Sequence, residues 1–124
     1  MVKHHSPRFL ALVEDTKKRI REISPEELKR KLETESGFHL VDVREAEEFT
    51  AGHLPRAKHL CKGIIERDIE AAVPDFSSEI VLYCGGGFRS ALSADNLQKM
   101  GYKRVLSLAG GWREWTGAGF PVEK

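Results

Sequence analysis

The sequence predicts an α/β domain built as a doubly wound parallel sheet of about five strands flanked by helices. Three observations carry this. Short apolar runs with strand content (Phe38 to Val43, Ala57 to Leu60, Ile80 to Tyr83, Lys103 to Leu108, and Glu22-Ile23 as a short edge strand) alternate with stretches of helical pattern. Ile80-Val81-Leu82-Tyr83 is apolar without a break, as expected of a strand buried on both faces. A cysteine and three glycines then lead into a helix, so Cys84 falls at the carboxyl end of a central strand, where open α/β sheets bind ligands.

Composition bounds the rest. A chain of 124 residues fits one domain, with a core that buries ~65% of the unfolded surface. Twenty Lys and Arg against 19 Asp and Glu give a net charge of +1, so neither nucleic acid nor a membrane surface is expected as a partner. Two cysteines without paired spacing make no disulfide framework and no zinc site, and no metal is expected. The run Phe9-Leu10-Ala11-Leu12-Val13 is too short for a signal segment or a membrane span, and a reducing, cytoplasmic setting is expected.

In chain order, residues 1–20 read as an N-terminal arm and helix, and residues 21–124 as the domain proper. His4-His5 lies in the arm and reads as solvated rather than metal-binding. Arg8 to Ile20 fits an amphipathic helix through Phe9, Leu12-Val13 and Ile20. Residues 1–31 hold nine basic and five acidic side chains, which reads as a solvated face in preference to a dock for an acidic partner. Ser24-Pro25-Glu26-Glu27 is a helix start: Ser24 at the N-cap, Pro25 at N1 and Glu27 closing a capping box. Leu28 and Leu32 face the core. Asp42 and Arg44 end the next strand, where they either brace the Cys84 loop or pair with Glu48. Glu45 to Thr50 is a short helix with Phe49 buried, and Gly52 ends it. Ile64, Ile65 and Ile69 give a later helix its apolar face, and Lys62-Gly63 and Arg67 are expected near the mouth of the site. After the loop, Leu92, Asn96-Leu97 and Met100 mark the inner face of the helix that Gly101 stops. Trp112 and Trp115 are i, i+3 neighbours and read as core.

The loop itself carries the chemistry. Backbone N–H groups of a glycine-rich turn can converge on an anion, and a helix N-terminus adds its positive end. Arg89 adds a full charge. Such a setting favours the thiolate over the thiol.

Cys84-Gly85-Gly86-Gly87-Phe88-Arg89 resembles the active-site loop of the rhodanese sulfurtransferases. Asp42-Val43-Arg44-Glu45, Glu48-Phe49 and Gly52-His53-Leu54-Pro55-Arg56-Ala57 resemble that family's upstream signature. Gly110-Gly111-Trp112, with Trp115 and Pro121, resembles its C-terminal one, and the likeness spans roughly residues 21–122. Arg56 departs from it, since a small residue, often glycine, is usual there. The resemblance implies that Cys84 takes sulfur from a donor such as thiosulfate or a persulfide and holds it as a persulfide. It then passes the sulfur to cyanide, a thiol or a protein cysteine. Gly85, Gly86, Gly87, Phe88, Arg89 and Ser90 would form the persulfide-binding loop, with Asp42 and Arg44 supporting, and no cofactor beyond the covalent persulfide is implied. Phe88 either selects the donor or packs the loop down. Cys61 reads as packing, or as a resolving thiol if it lies near Cys84. His53 falls in a structural signature rather than pairing with Cys84 as a base. Two other readings are a non-catalytic interaction module and a phosphatase of related fold. The phosphatases place five residues between cysteine and arginine, whereas four stand here. Thiol–disulfide chemistry would need a C-x-x-C pair, which is absent.

Overall fold

A computed structural model describes residues 5–124. His4 therefore lies outside the described residues. Helix α1 (Pro7–Lys17) begins where Ser6 accepts a hydrogen bond from the Phe9 N–H, 3.2 Å, with Pro7 in the first turn. Strand β1 (Arg21–Ile23) leads to α2 (Pro25–Thr34) through the expected capping box: Ser24 Oγ accepts from Glu27 N and Glu27 Oε1 from Ser24 N, both 3.1 Å. Then follow β2 (Phe38–Asp42), α3 (Ala46–Ala51), β3 (Lys58–His59), α4 (Ile65–Ala72), β4 (Glu79–Tyr83), α5 (Phe88–Lys99), β5 (Arg104–Leu108) and α6 (Gly111–Gly117).

The five strands form one parallel sheet in the order β1-β5-β4-β2-β3. This is the doubly wound α/β architecture that the alternation of strands and helices predicts. After β2 the chain goes out to the β3 edge, then returns to β4 on the other side of β2. The reversal lies between β2 and β4, and their carboxyl ends flank the crevice it leaves.

Strand periodicity divides the core in two. Val41, Ile80, Leu82 and Val105 turn to one face, where Ile65, Ile69, Ala94 and Leu97 cover them. Leu40, Val81, Tyr83 and Leu108 turn to the other, against Leu28, Leu54 and Trp115. Both faces of β4 are thus covered, which accounts for its unbroken apolar run.

Four expectations are corrected. The inner face of α5 is made by Ser90, Ala91, Ala94 and Leu97, while Leu92 is only half-buried. Small residues let α5 pack closely on the sheet, so Leu97 marks its buried stripe but Leu92 does not. Phe49 is half-buried rather than buried, and its ring stacks on His53 with centroids 3.9 Å apart. Arg44 does not pair with Glu48; Asp42 binds it instead. Lys62, Gly63 and Arg67 do not reach the Cys84 cavity: Lys62 N donates to Val43 O, which holds this segment along β2, and Arg67 pairs with its neighbour Asp68.

Arg56, the departure noted above, takes a left-handed conformation at φ 69°, the region that favours glycine. Its guanidinium offsets that cost by donating to the carbonyls of Leu32 and Glu35 at 3.1 and 3.0 Å, beside the end of α2, and by lying over the Phe38 ring.

Candidate functional site

Strand β4 delivers Cys84 to the crevice, and the next three residues turn the chain back into α5. Gly87 makes the turn at φ 94°, and a Cβ there would stand 3.1 Å from Gly110 N. This fold-back aims backbone donors at the sulfur. Gly87 N lies 3.1 Å from Cys84 Sγ and Ser90 N 3.4 Å. The Ser90 hydroxyl lies 3.5 Å from Sγ and 2.8 Å from the Ser107 hydroxyl on β5. Two backbone donors and one hydroxyl thus converge on the sulfur.

The loop is clamped from behind. Trp112 N donates to Cys84 O at 2.8 Å, and Arg113 N to Gly85 O at 3.0 Å. This approach needs glycine at 111, where φ is 52° and a Cβ would collide with the Cys84 carbonyl. The loop Ala109-Gly110-Gly111 therefore lies directly against the Cys84 loop.

Asp42 and Arg44 stand one layer behind. The buried Asp42 carboxylate accepts from Arg44 N at 2.8 Å, from Nε at 3.1 Å and from Nη2 at 2.7 Å. Arg44 also donates to Gly52 O at 2.7 Å, and its guanidinium lies 4.5 Å from the Trp112 ring. A chain of contacts thus runs from Asp42 through Arg44 to Trp112, whose N–H holds the Cys84 carbonyl. Neither residue lines the cavity. Tyr83 packs beside Arg44 and accepts from Leu54 N at 3.1 Å; burial pushes its phenol far above the usual range.

Cys84 is only 1% exposed and opens to a cavity of about 370 Å³. Gly85, Gly86, Phe88 and Arg89 line it with the cysteine, together with three residues that the sequence reading did not place there: His5, Phe9 and Arg113. Phe88 is half-buried. His5 and Phe9 pack on it, with centroids 4.8 and 6.0 Å away, and Lys17 Nζ lies 5.4 Å from its ring.

Arg89 is held by Glu48, with Nη1–Oε1 3.2 Å and Nη2–Oε2 3.4 Å. Partial burial pushes the Glu48 carboxyl up, but hydrogen bonds from Arg89 and from the Glu45 N–H outweigh it and hold the group below its usual range. Arg113 makes no ion pair among the described residues and stands near Gly86. His53 turns away from the cavity, with Nδ1 3.1 Å from Phe49 O, and Cys61 does not line it. The sequence signal for Arg113 was its place directly after Gly110-Gly111-Trp112. Phe9 had none beyond the helical pattern of α1, and His5, in the segment before that helix, had none.

No helix among the described residues is long and apolar enough to cross a membrane. Comparison with known proteins places the architecture. The rhodanese-like domain family matches residues 24–118. A sulfurtransferase of Allochromatium vinosum is 33% identical over 103 residues, 83% of this chain and 94% of the relative. The thiosulfate sulfurtransferase GlpE of Vibrio cholerae serotype O1 is 32% identical over 85 residues, 68% of this chain and 78% of the relative. YrkF of Bacillus subtilis is 36% identical over 98 residues, and there the match spans 52% of the relative's length. A solved structure from Rhodopseudomonas palustris, of a protein of unknown function described as a possible tyrosine phosphatase, superposes with a TM-score of 0.87 at 26% identity. It covers 99% of both chains, α1 included. Matched from the N-cap of α2 to the C-cap of α6, the chain belongs to the rhodanese-like domain family.

Proposed function

We propose that the protein is a sulfurtransferase that carries sulfane sulfur on Cys84. The observation that carries this reading is the pair of backbone N–H groups, from Gly87 and Ser90, directed at Cys84 Sγ beneath an open cavity. In the first step the Cys84 thiolate attacks the outer sulfur of thiosulfate or a persulfide. A sulfur–sulfur bond forms at Cys84, the donor's own breaks, and the donor leaves with the electron pair, as sulfite in the case of thiosulfate. In the second step cyanide, a thiol or a protein cysteine attacks the terminal sulfur, and the Cys84 thiolate leaves. This is covalent catalysis by double displacement, and no metal or organic cofactor takes part in the proposed cycle.

The persulfide places its charge one atom further out than the thiolate, and the N–H groups of the same loop would serve both positions. Donors fixed in advance by the fold need no reorganisation as charge moves, and one such donor can be worth ~3–4 kcal/mol. Asp42 and Arg44 would act as positioning residues through Trp112.

The description of the Rhodopseudomonas structure favours a second reading, a phosphatase. Four residues rather than five separate Cys84 from Arg89, and Glu48 engages the Arg89 guanidinium, so the sulfur reading is preferred.

The test is the intact mass of wild type and Cys84→Ser after incubation with thiosulfate and removal of excess donor. The expected result is one added sulfur on wild type only, discharged by cyanide. No gain from thiosulfate, polysulfide or glutathione persulfide would overturn the assignment. Release of phosphate from p-nitrophenyl phosphate by wild type and not by Cys84→Ser would then favour the phosphatase, and inactivity throughout would favour an interaction module. A gain on both proteins would identify Cys61 as the carrier.

A further inference from the structure

The wall of the cavity above Cys84 is not supplied by the family-matched segment alone. His5 and Phe9 precede residue 24, yet both line it. They form a cluster with Phe88: His5–Phe9 centroids are 5.2 Å apart, His5–Phe88 4.8 Å and Phe9–Phe88 6.0 Å, the last two edge to face. Helix α1 presents Phe9, with His5 in the segment just before it, and the helix is anchored through its C-terminal half. Val13 and Thr16 are buried against the domain. Beyond its last turn, Arg19 binds Asp95 of α5 with Nη2–Oδ2 3.0 Å, and Gln98 donates to Arg19 O at 2.9 Å. Docked in this way, α1 brings Phe9, and with it His5, to the wall of the cavity.

Opposite in character, Arg113 reaches the same cavity from α6. Its side chain packs where a Cβ on Gly86 would stand 3.4 Å from Nη1, and it has no carboxylate partner among the described residues. Arg89, by contrast, is already engaged by Glu48. Of the two arginines that line the cavity, Arg113 is thus the one without an ion-pair partner among the described residues.

Building on the sulfurtransferase reading, we propose that α1 and Arg113 make a substrate site for an organic sulfur donor: an apolar, preferably aromatic, body that ends in an anionic sulfur group. The body lies against His5, Phe9 and Phe88, and the anionic end is held by Arg113 above Cys84. A volume of about 370 Å³ is far larger than a bare thiosulfate needs and lies within the ~300–1,000 Å³ of small-molecule sites. An aryl thiosulfonate is the simplest probe with this shape. The Cys84 thiolate attacks its terminal sulfur, a sulfur–sulfur bond forms at Cys84, the bond to the sulfonyl sulfur breaks, and the arenesulfinate leaves with the electron pair. Two anions enter and two remain, with no oxidant or reductant required.

The test compares benzenethiosulfonate with thiosulfate as sulfur donors to the wild-type protein, Phe9→Ala and Arg113→Ala, and measures benzenethiosulfonate binding to Cys84→Ser by calorimetry. Wild type is expected to favour benzenethiosulfonate in kcat/KM by about tenfold or more, the range an apolar pocket gives per well-fitted group. Phe9→Ala shrinks that ratio at least fivefold, and Arg113→Ala raises KM for both donors. Cys84→Ser binds benzenethiosulfonate, and binds it more weakly when Phe9→Ala is added. Equal use of the two donors, or a ratio unmoved by Phe9→Ala, would overturn the proposal while leaving sulfur transfer intact. If neither donor loads Cys84, the sulfurtransferase reading fails. The calorimetric arm then decides the site alone: binding weakened by Phe9→Ala supports it, and no binding removes it.

Discussion

Glu48 Oε1 lies 3.2 Å from Arg89 Nη1, so the arginine beside the Cys84 loop is an ion pair rather than a free charge. Glu48 comes from α3 and Arg89 from α5, and their carboxylate and guanidinium meet in a two-point contact. The pair sets the electrostatic potential that an anionic donor meets.

Glu48→Gln removes the negative partner but keeps the shape and a polar contact. We expect KM for thiosulfate to fall about two- to fivefold at low ionic strength, and this gain to fade as salt screens the newly uncompensated Arg89. Both side chains are about a third exposed, so the loss of stability should stay below about 1 kcal/mol. Steady-state kinetics at two salt concentrations checks this. A KM that rises would show that Glu48 acts by aiming Arg89 rather than by offsetting its charge.

Gly111→Ala should be among the most damaging single substitutions in the chain. The residue is left-handed at φ 52°, and the added carbon meets the Cys84 carbonyl, which is backbone and cannot move without shifting the loop. A loss of about 3 kcal/mol or more is expected from strain and collision together. Gly117→Ala is the control: its Cβ would meet nothing within 4 Å, at the end of α6, so the change should be within about 1 kcal/mol of neutral. Urea denaturation of both variants separates the two cases.

The same pair of glycines marks how far the sequence could be read. Strands and helices were legible because their periodicity and caps are local: Ser24 with Glu27 announces α2 whatever packs on it. The Cys84 loop was legible because cysteine before three glycines and a helix has few structural uses. Arg113 and Phe9 were not, because nothing in an arginine or a phenylalanine on a helix says which cavity it reaches. That depends on how α6 follows Gly110-Gly111 and how α1 docks on α5, both tertiary relationships. The inner face of α5 was misplaced for a related reason, since close packing on the sheet selects Ala91 and Ala94 over Leu92.

Asp95 anchors α1 to the domain, and its contribution should depend on pH. The hydrogen bond from Arg19 leads the effects that hold its carboxyl below the usual range, against an opposing push from burial. A depressed folded-state value means that the stabilisation is complete above the unfolded carboxylate value, ~3.9, and is lost as pH falls through the lower folded value. Asp95→Asn should therefore lower stability at pH 7, by about 1 kcal/mol for a pair with one end in solvent, and by progressively less as the pH drops below about 4. Urea midpoints of both proteins across this range test it. A gap that stays constant with pH would mean that Asn loses packing rather than charge.

Ser107 is the least obvious residue with a stake in the chemistry. It lies on β5, wholly buried, and its hydroxyl has the Ser90 hydroxyl at 2.8 Å. Ser90 in turn stands 3.5 Å from Cys84 Sγ. When Ser107 donates to Ser90, the Ser90 proton is left to face the sulfur, where it adds a third donor to the two backbone N–H groups. Ser107→Ala frees that rotation. It should slow the loading of Cys84 with sulfur about fivefold, the equivalent of one net hydrogen bond near ~1 kcal/mol, and lower stability by a similar amount. The two readouts distinguish a positioning role from a merely structural one, because a packing defect behind the sheet would lower the urea midpoint while leaving the loading rate as it is in wild type.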